Sequence, residues 1–93
     1  MLAPSSLSDI RRRLGLSQEQ MAQLLAVSFA SVNRWEGGHS APTGSVLDLY
    51  SALDCAMRAG YTGTQIRKAA NSERGVFLYN LFRMAYGRAR KRA

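Results

Sequence analysis

The chain has 93 residues, 46% of them apolar and 20% charged, with a formal net charge of +7. That is enough for one hydrophobic core and too apolar for a disordered chain, while the lone Cys55 excludes an internal disulfide. No apolar run of about 18 residues is present to cross a membrane, and the first residues lack the charged start of a secretion signal, so a cytosolic protein is expected.

Residues 1 to 4 read as loose, and Ser6 as the cap of a first helix, with Asp9 in its first turn beside the positive end of the dipole. Leu7, Ile10 and Leu14 form its buried stripe, Arg12 and Arg13 stay outside, and Gly15 stops it. Ser17 and Gln20 spell an S-x-x-Q capping box that starts a second helix at Gln18, with Met21, Ala22, Leu24 and Leu25 at helical spacing. Ser28 then caps a third helix. Phe29, Val32 and Trp35 recur at helical intervals along it, which leaves Ser31, Asn33 and Arg34 on another side, and Gly37-Gly38 ends it. Two short helices meeting at a tight corner, the second with amide and guanidinium groups on one face, suit insertion into a DNA major groove.

Residues 39 to 42 form a loop, and Thr43 caps a fourth helix carrying Val46, Leu47, Leu49, Tyr50, Leu53, Ala56 and Met57 and ending near Gly60. Cys55 lies among its apolar residues and reads as a buried thiol. Residues 61 to 64 are expected to turn, and residues 64 to 71 to form a weak short helix with Ile66, Ala69 and Ala70 inward. Ser72 starts a last helix, with Glu73 in its first turn. That helix is apolar around more than one face, so it either fills a core or packs against two things at once. Part of it (Phe77, Leu78, Leu81, Phe82 and Ala85) is expected to form a dimer interface; the alternative is that it completes the monomer core. The fold class expected is therefore all-α: a compact bundle of four to five short helices with a helix-turn-helix, plus a C-terminal helix used in dimerisation. The expected division is residues 1–60 for DNA binding and 61–93 for a helical extension with a basic tail.

Charge is distributed unevenly. Residues 1 to 60 balance to zero, whereas residues 61 to 93 hold eight basic groups against Glu73 alone. Such a balance favours a polyanionic partner, nucleic acid ahead of a membrane surface. With Arg34 offset by Glu36, the third helix should contribute little long-range attraction, and Arg88, Arg90, Lys91 and Arg92 are expected on phosphates.

The stretch from Leu14 to Pro42, with the helix after it, resembles the helix-turn-helix of lambda-repressor-like (Cro/C1, Xre-type) regulators. Leu14, Leu16, Ser17, Gln18, Ala22, Val27, Ser28, Val32, Glu36, Gly38 and Pro42 match its pattern without a gap, and the resemblance spans roughly residues 7 to 54. It implies base readout by Phe29, Ala30, Asn33 and Arg34, with Ser31 beside them. Arg34 is suited to guanine O6/N7, Asn33 to adenine N6/N7, and Phe29 and Ala30 to a thymine methyl. Phe29 could instead pack back on the turn. Gln18 and Ser28 are implied as phosphate contacts, with Gly38 and His39 after the helix and the Trp35 indole N–H as further donors. The resemblance also pairs Arg11 with Glu36, tying the third helix to the first and turning Arg11 toward the DNA backbone. One departure stands at the corner, where Ala26 replaces the usual Gly at a positive-φ position.

No second His, carboxylate pair, phosphate loop or Cys cluster is present, so no enzyme, cofactor or metal is expected. The partners expected are a double-stranded DNA operator and a second copy of the chain, with a transcriptional repressor as the role. The alternative is an antitoxin or interaction module whose last helix binds another protein; RNA binding is a weaker option.

Overall fold

The computed structural model describes residues 2–87, and all the regular structure among them is helical. Six helices follow in order: α1 Pro4–Leu14, α2 Gln18–Leu25, α3 Phe29–Glu36, α4 Gly44–Arg58, α5 Gly63–Ala69 and α6 Arg74–Tyr86. The all-α expectation holds.

Three helix starts differ from the sequence reading. Helix α1 begins at Pro4, not after Ser6, because proline's fixed φ suits the first helical position, where its missing N–H is no loss. Asp9 is thereby carried out of the first turn, and its carboxylate instead pairs with Arg13 one turn on, at 3.0 Å. Helix α5 starts at Gly63 under a reciprocal capping box of Thr62 and Gln65, a T-x-x-Q signal legible in the sequence but read there as a turn. Glu73 is the N-cap of α6 rather than part of its first turn. Thr43 caps α4 by position, but its side chain makes no capping bond.

The core collects Leu7, Ile10 and Leu14 of α1, Met21, Ala22 and Leu25 of α2, Val32 of α3 and Leu49, Tyr50, Ala52, Leu53 and Ala56 of α4. Ile66, Phe77 and Leu81 complete it from the last third of the chain. Helix α6 packs chiefly along α4, and α5 against α1. The α5 approach is close enough that a methyl on Gly63 would lie 2.6 Å from the Arg13 carbonyl oxygen, so only glycine fits there. Cys55 is half-buried, less enclosed than its apolar neighbours suggested.

Two arginines from the basic third are built into this packing. Arg67 donates to the Leu14 carbonyl at the end of α1, and Arg74 to the Leu24 carbonyl at the end of α2. Carbonyls in a helix's last turn have no partner within the helix, so each guanidinium closes a helix end and meets the negative end of its dipole.

The corner between α2 and α3 bears out the sequence reading. Ala26 takes φ 61 and ψ 44 and ends α2, its N–H donating back to the last turn. An L-residue with a Cβ is strained there, and Ala26 is exposed, so its methyl gains little from packing. Ala26→Gly is expected to stabilise the fold by about 0.5–1 kcal/mol. A urea titration with a higher midpoint and an unchanged slope would bear this out; a lower midpoint would show that the methyl packs usefully.

Candidate nucleic-acid interface

Helix α3 is held at both ends and from beneath. At its start the Ser28 hydroxyl accepts from the Ser31 N–H at 3.1 Å and lies 2.9 Å from the Ser31 hydroxyl. At its end the Gly38 N–H donates to the Trp35 carbonyl and the His39 N–H to the Arg34 carbonyl, with Gly38 at φ 81. The Gly37 N–H likewise donates to the Asn33 carbonyl at 3.0 Å, so neither N–H of Gly37-Gly38, the pair expected to turn bare N–H groups toward a phosphate, is free. Gly38 therefore serves as a helix stop, and its N–H points back into α3. Beneath the helix, Val32 is buried, and Trp35 is half-buried with its ring edge-on to Tyr50 at 6.2 Å and 78°.

Glu36 ties α3 to both preceding helices. Its Oε2 accepts from Arg11 Nε at 2.8 Å, and its Oε1 accepts from Arg11 Nη2 at 3.0 Å, Gln18 Nε2 at 3.0 Å and Ser8 Oγ at 3.2 Å. Burial alone would push this carboxyl up, but the bonds from Arg11, Gln18 and Ser8 together hold it below the ordinary carboxylate value. The bond to Glu36 raises the Arg11 guanidinium in turn, against its own burial. A bidentate Arg–carboxylate fork of this kind sets orientation as well as attraction. Arg11 also donates to the Leu16 carbonyl at 2.9 Å, so its guanidinium faces the protein interior more than the exterior.

Tyr50 of α4 lies nearby, fully buried, with no partner for its hydroxyl among the described residues. Burial, with Glu36 adding to it, pushes that hydroxyl up to about 12, so it stays neutral.

The outward face of α3 is open. Phe29 is 51% exposed. Ala30, Asn33 and Arg34 are exposed beside it, and Ser31 is half-buried against its own cap. Among the described residues Arg34 has no ion-pair partner. The Glu36 side chain is only 5% exposed and already paired, so it does not offset Arg34 as the sequence tally suggested. The outward face of α3 thus carries the Arg34 charge with no paired carboxylate among the described residues.

A single apolar face with amides, a guanidinium and an aromatic opposite it, fixed at a tight two-helix corner, is the geometry of a DNA-reading element. A family model described as helix-turn-helix matches residues 7–53, more than half of the chain. The chain belongs to the lambda-repressor-like, Cro/C1-type helix-turn-helix family. It is accordingly a DNA-binding transcription regulator in the general sense of that family. Searches of characterised proteins and of solved structures give no match.

Several expected site residues occupy places the family pattern did not foretell. Gln18 is half-buried, and its side chain joins Glu36 to Asn33: it donates to the first and accepts from Asn33 Nδ2 at 3.1 Å. Arg88, Arg90, Lys91 and Arg92 lie outside the described residues. His39 is exposed next to the end of α3.

Of the five residues expected at a dimer interface, Phe77 and Leu81 are 2% and 1% exposed and sit in the monomer core. They correct that expectation: their surface is already covered within one chain. Leu78 and Ala85 are half-buried against the core, and Phe82 alone of the five is exposed. The exposed face of α6 instead presents Val76, Tyr79, Phe82 and Tyr86, with the last two rings stacked at 6.0 Å. Sequence reasoning missed this division because both faces of α6 are apolar and only packing tells them apart. No helix among the described residues is long and apolar enough to cross a membrane, and no cluster there could hold a metal ion.

Proposed function

We propose that this protein is a sequence-specific transcriptional repressor, acting as a homodimer on an inverted repeat. The observation that carries this reading is the exposed face of α3, where Phe29, Ala30, Asn33 and Arg34 are accessible to solvent on a helix clamped through Glu36. Arg34 takes guanine O6/N7, Asn33 an adenine edge, and Phe29 and Ala30 a thymine methyl. His39, the Trp35 indole N–H, the Ser28 hydroxyl and the basic residues Arg88, Arg90, Lys91 and Arg92 supply phosphate contacts.

The exposed stripe of Val76, Tyr79, Phe82 and Tyr86 on α6 supports self-association, since aromatic side chains are enriched where protein surfaces meet. Two copies paired along it would read half-sites about one helical turn, roughly 34 Å, apart. Repression follows from occupancy of the operator, autoregulation of the protein's own operon being the simplest case, and its setting is the cytoplasm on the nucleoid.

Selection from a pool of random duplexes at fixed salt tests the reading, which requires an enriched palindromic site; recovery of sequences no different from the input would end it. Arg34→Ala is expected to relax one position of each half-site at a cost of about 1–3 kcal/mol, leaving the other positions selective. The same stripe favours a second reading, an antitoxin or interaction module that covers α6 with another protein. Light scattering separates the two, a dimer at micromolar concentration favouring the repressor and a monomer the module.

A further inference from the structure

A cleft of about 380 Å³ opens where α2 meets the segment joining α5 to α6. Leu16, Leu24 and Phe77 supply its apolar wall, and the guanidinium groups of Arg67 and Arg74 line it from the basic third of the chain. No carboxylate lines it, and among the described residues neither arginine has an ion-pair partner. Its amide side chains, Gln20, Gln23 and Asn71, are uncharged. Both guanidinium groups are held in place. Arg67 donates to the Leu14 carbonyl and, at 3.2 Å, to the Thr64 hydroxyl. Arg74 donates to the Leu24 carbonyl and lies 5.9 Å from the Phe77 ring centre. A guanidinium carries more N–H donors than these contacts use. The cleft therefore holds two fixed positive charges, with donors to spare, beside an apolar wall.

We propose that this cleft binds a small organic anion, its carboxylate or phosphate group on Arg67 and Arg74 and its apolar body against Leu16, Leu24 and Phe77. The planar fork of a guanidinium matches either oxyanion, and donors already fixed by other bonds cost little to order on binding. The volume lies at the low end for small-molecule sites, which suits a ligand of one ring or a short chain. A bare inorganic ion would leave the apolar wall unused, and a neutral molecule would leave both charges unanswered. The cleft exists only when α2 and the last third of the chain are packed together, so its ligand binds the folded state alone and stabilises it. Since the same arginines close α1 and α2, that stabilisation falls on the ends of both helices. The assignment is independent of what α3 reads.

Benzoate and phenyl phosphate, titrated into the full-length protein at constant ionic strength and pH, test this. Ligands of that size are expected to half-saturate at on the order of 1–10 mM. The Arg67 and Arg74 Nε–H signals in a 1H–15N spectrum should move and saturate, while that of Arg34, exposed on α3, stays still. Whichever anion binds better tells a carboxylate site from a phosphate site. Benzamide has the ring without the charge, and inorganic phosphate the charge without the ring. Each should bind more weakly than the better anion by about fivefold or more. Either control binding as well as that anion overturns the proposal. So does an Arg34 signal that moves in parallel, or no movement up to about 20 mM of either anion. Asn71→Glu puts a carboxylate on the rim and spares both arginine contacts, Asn71 being exposed and outside the helices. It should weaken the better anion by about fivefold. Equal affinity in that variant would place the anion elsewhere and refute the assignment.

Discussion

Phe77→Ala is expected to destabilise the protein by about 3–5 kcal/mol, a large part of the stability of a domain this size. The ring is 2% exposed and lies with Leu81 in the core shared with α4, so truncation leaves a cavity that the surrounding helices cannot fill. Residues beyond 60 are therefore more than an appendage to the DNA-reading part. A chain cut after residue 60 loses Ile66, Phe77 and Leu81 from the core, and with them the guanidinium groups that close α1 and α2. It should show weak helical circular dichroism and no cooperative thermal transition. A cooperative melt from that fragment, or a loss under about 1 kcal/mol for Phe77→Ala, would mean that α6 only rests on a self-sufficient core.

Arg11→Ala is expected to cost about 2–3 kcal/mol. This is somewhat below the loss typical on breaking a fully buried pair, because the Arg11 side chain is 14% exposed. What remains is an enclosed Glu36 with only Gln18 and Ser8 to stabilise its charge. The pH dependence carries the sharper signature. In the intact protein Glu36 is held below its ordinary value of 4.5. Its contribution to stability is thus complete above that pH and is lost as pH falls through the lowered folded value. Without Arg11, burial governs and the folded carboxyl rises, so protonation no longer opposes folding. Chemical denaturation at a series of pH values should show a steep acid limb for the intact protein and a flattened or reversed one for Arg11→Ala. Parallel limbs would mean that some other carboxylate dominates acid unfolding.

The helix-turn-helix was legible because its determinants are local. The Ser17–Gln20 capping box, the Ser28 cap and the strained corner at Ala26 each follow from residues within a turn or two of each other. Arg11 and Glu36 are 25 positions apart, and their pairing was available only from the family pattern. The sides of α6 were not legible, since Phe77 and Phe82 are chemically alike and only the position of α4 decides which is covered. Nor could the tally of basic residues foretell that Arg67 and Arg74 would be engaged at helix ends. Gln18 was recognisable as a site residue, but its tie to Asn33 depends on how α2 and α3 cross, which spacing along the chain does not specify.

The Arg74–Leu24 contact joins residues 50 positions apart, and Arg67–Leu14 joins residues 53 apart. During translation, at roughly 10 residues per second, the reading corner is thus made about 5 s before the side chain that finishes the end of α2. A ribosome-bound chain that has displayed α1 to α3 still lacks the parts that make the corner rigid. Newly made protein would complete its DNA-binding fold in a late step, after α5 and α6 emerge. A chain whose synthesis is interrupted ahead of those helices would leave behind a fragment that lacks the closure of α1 and α2 on which its helix-turn-helix rests.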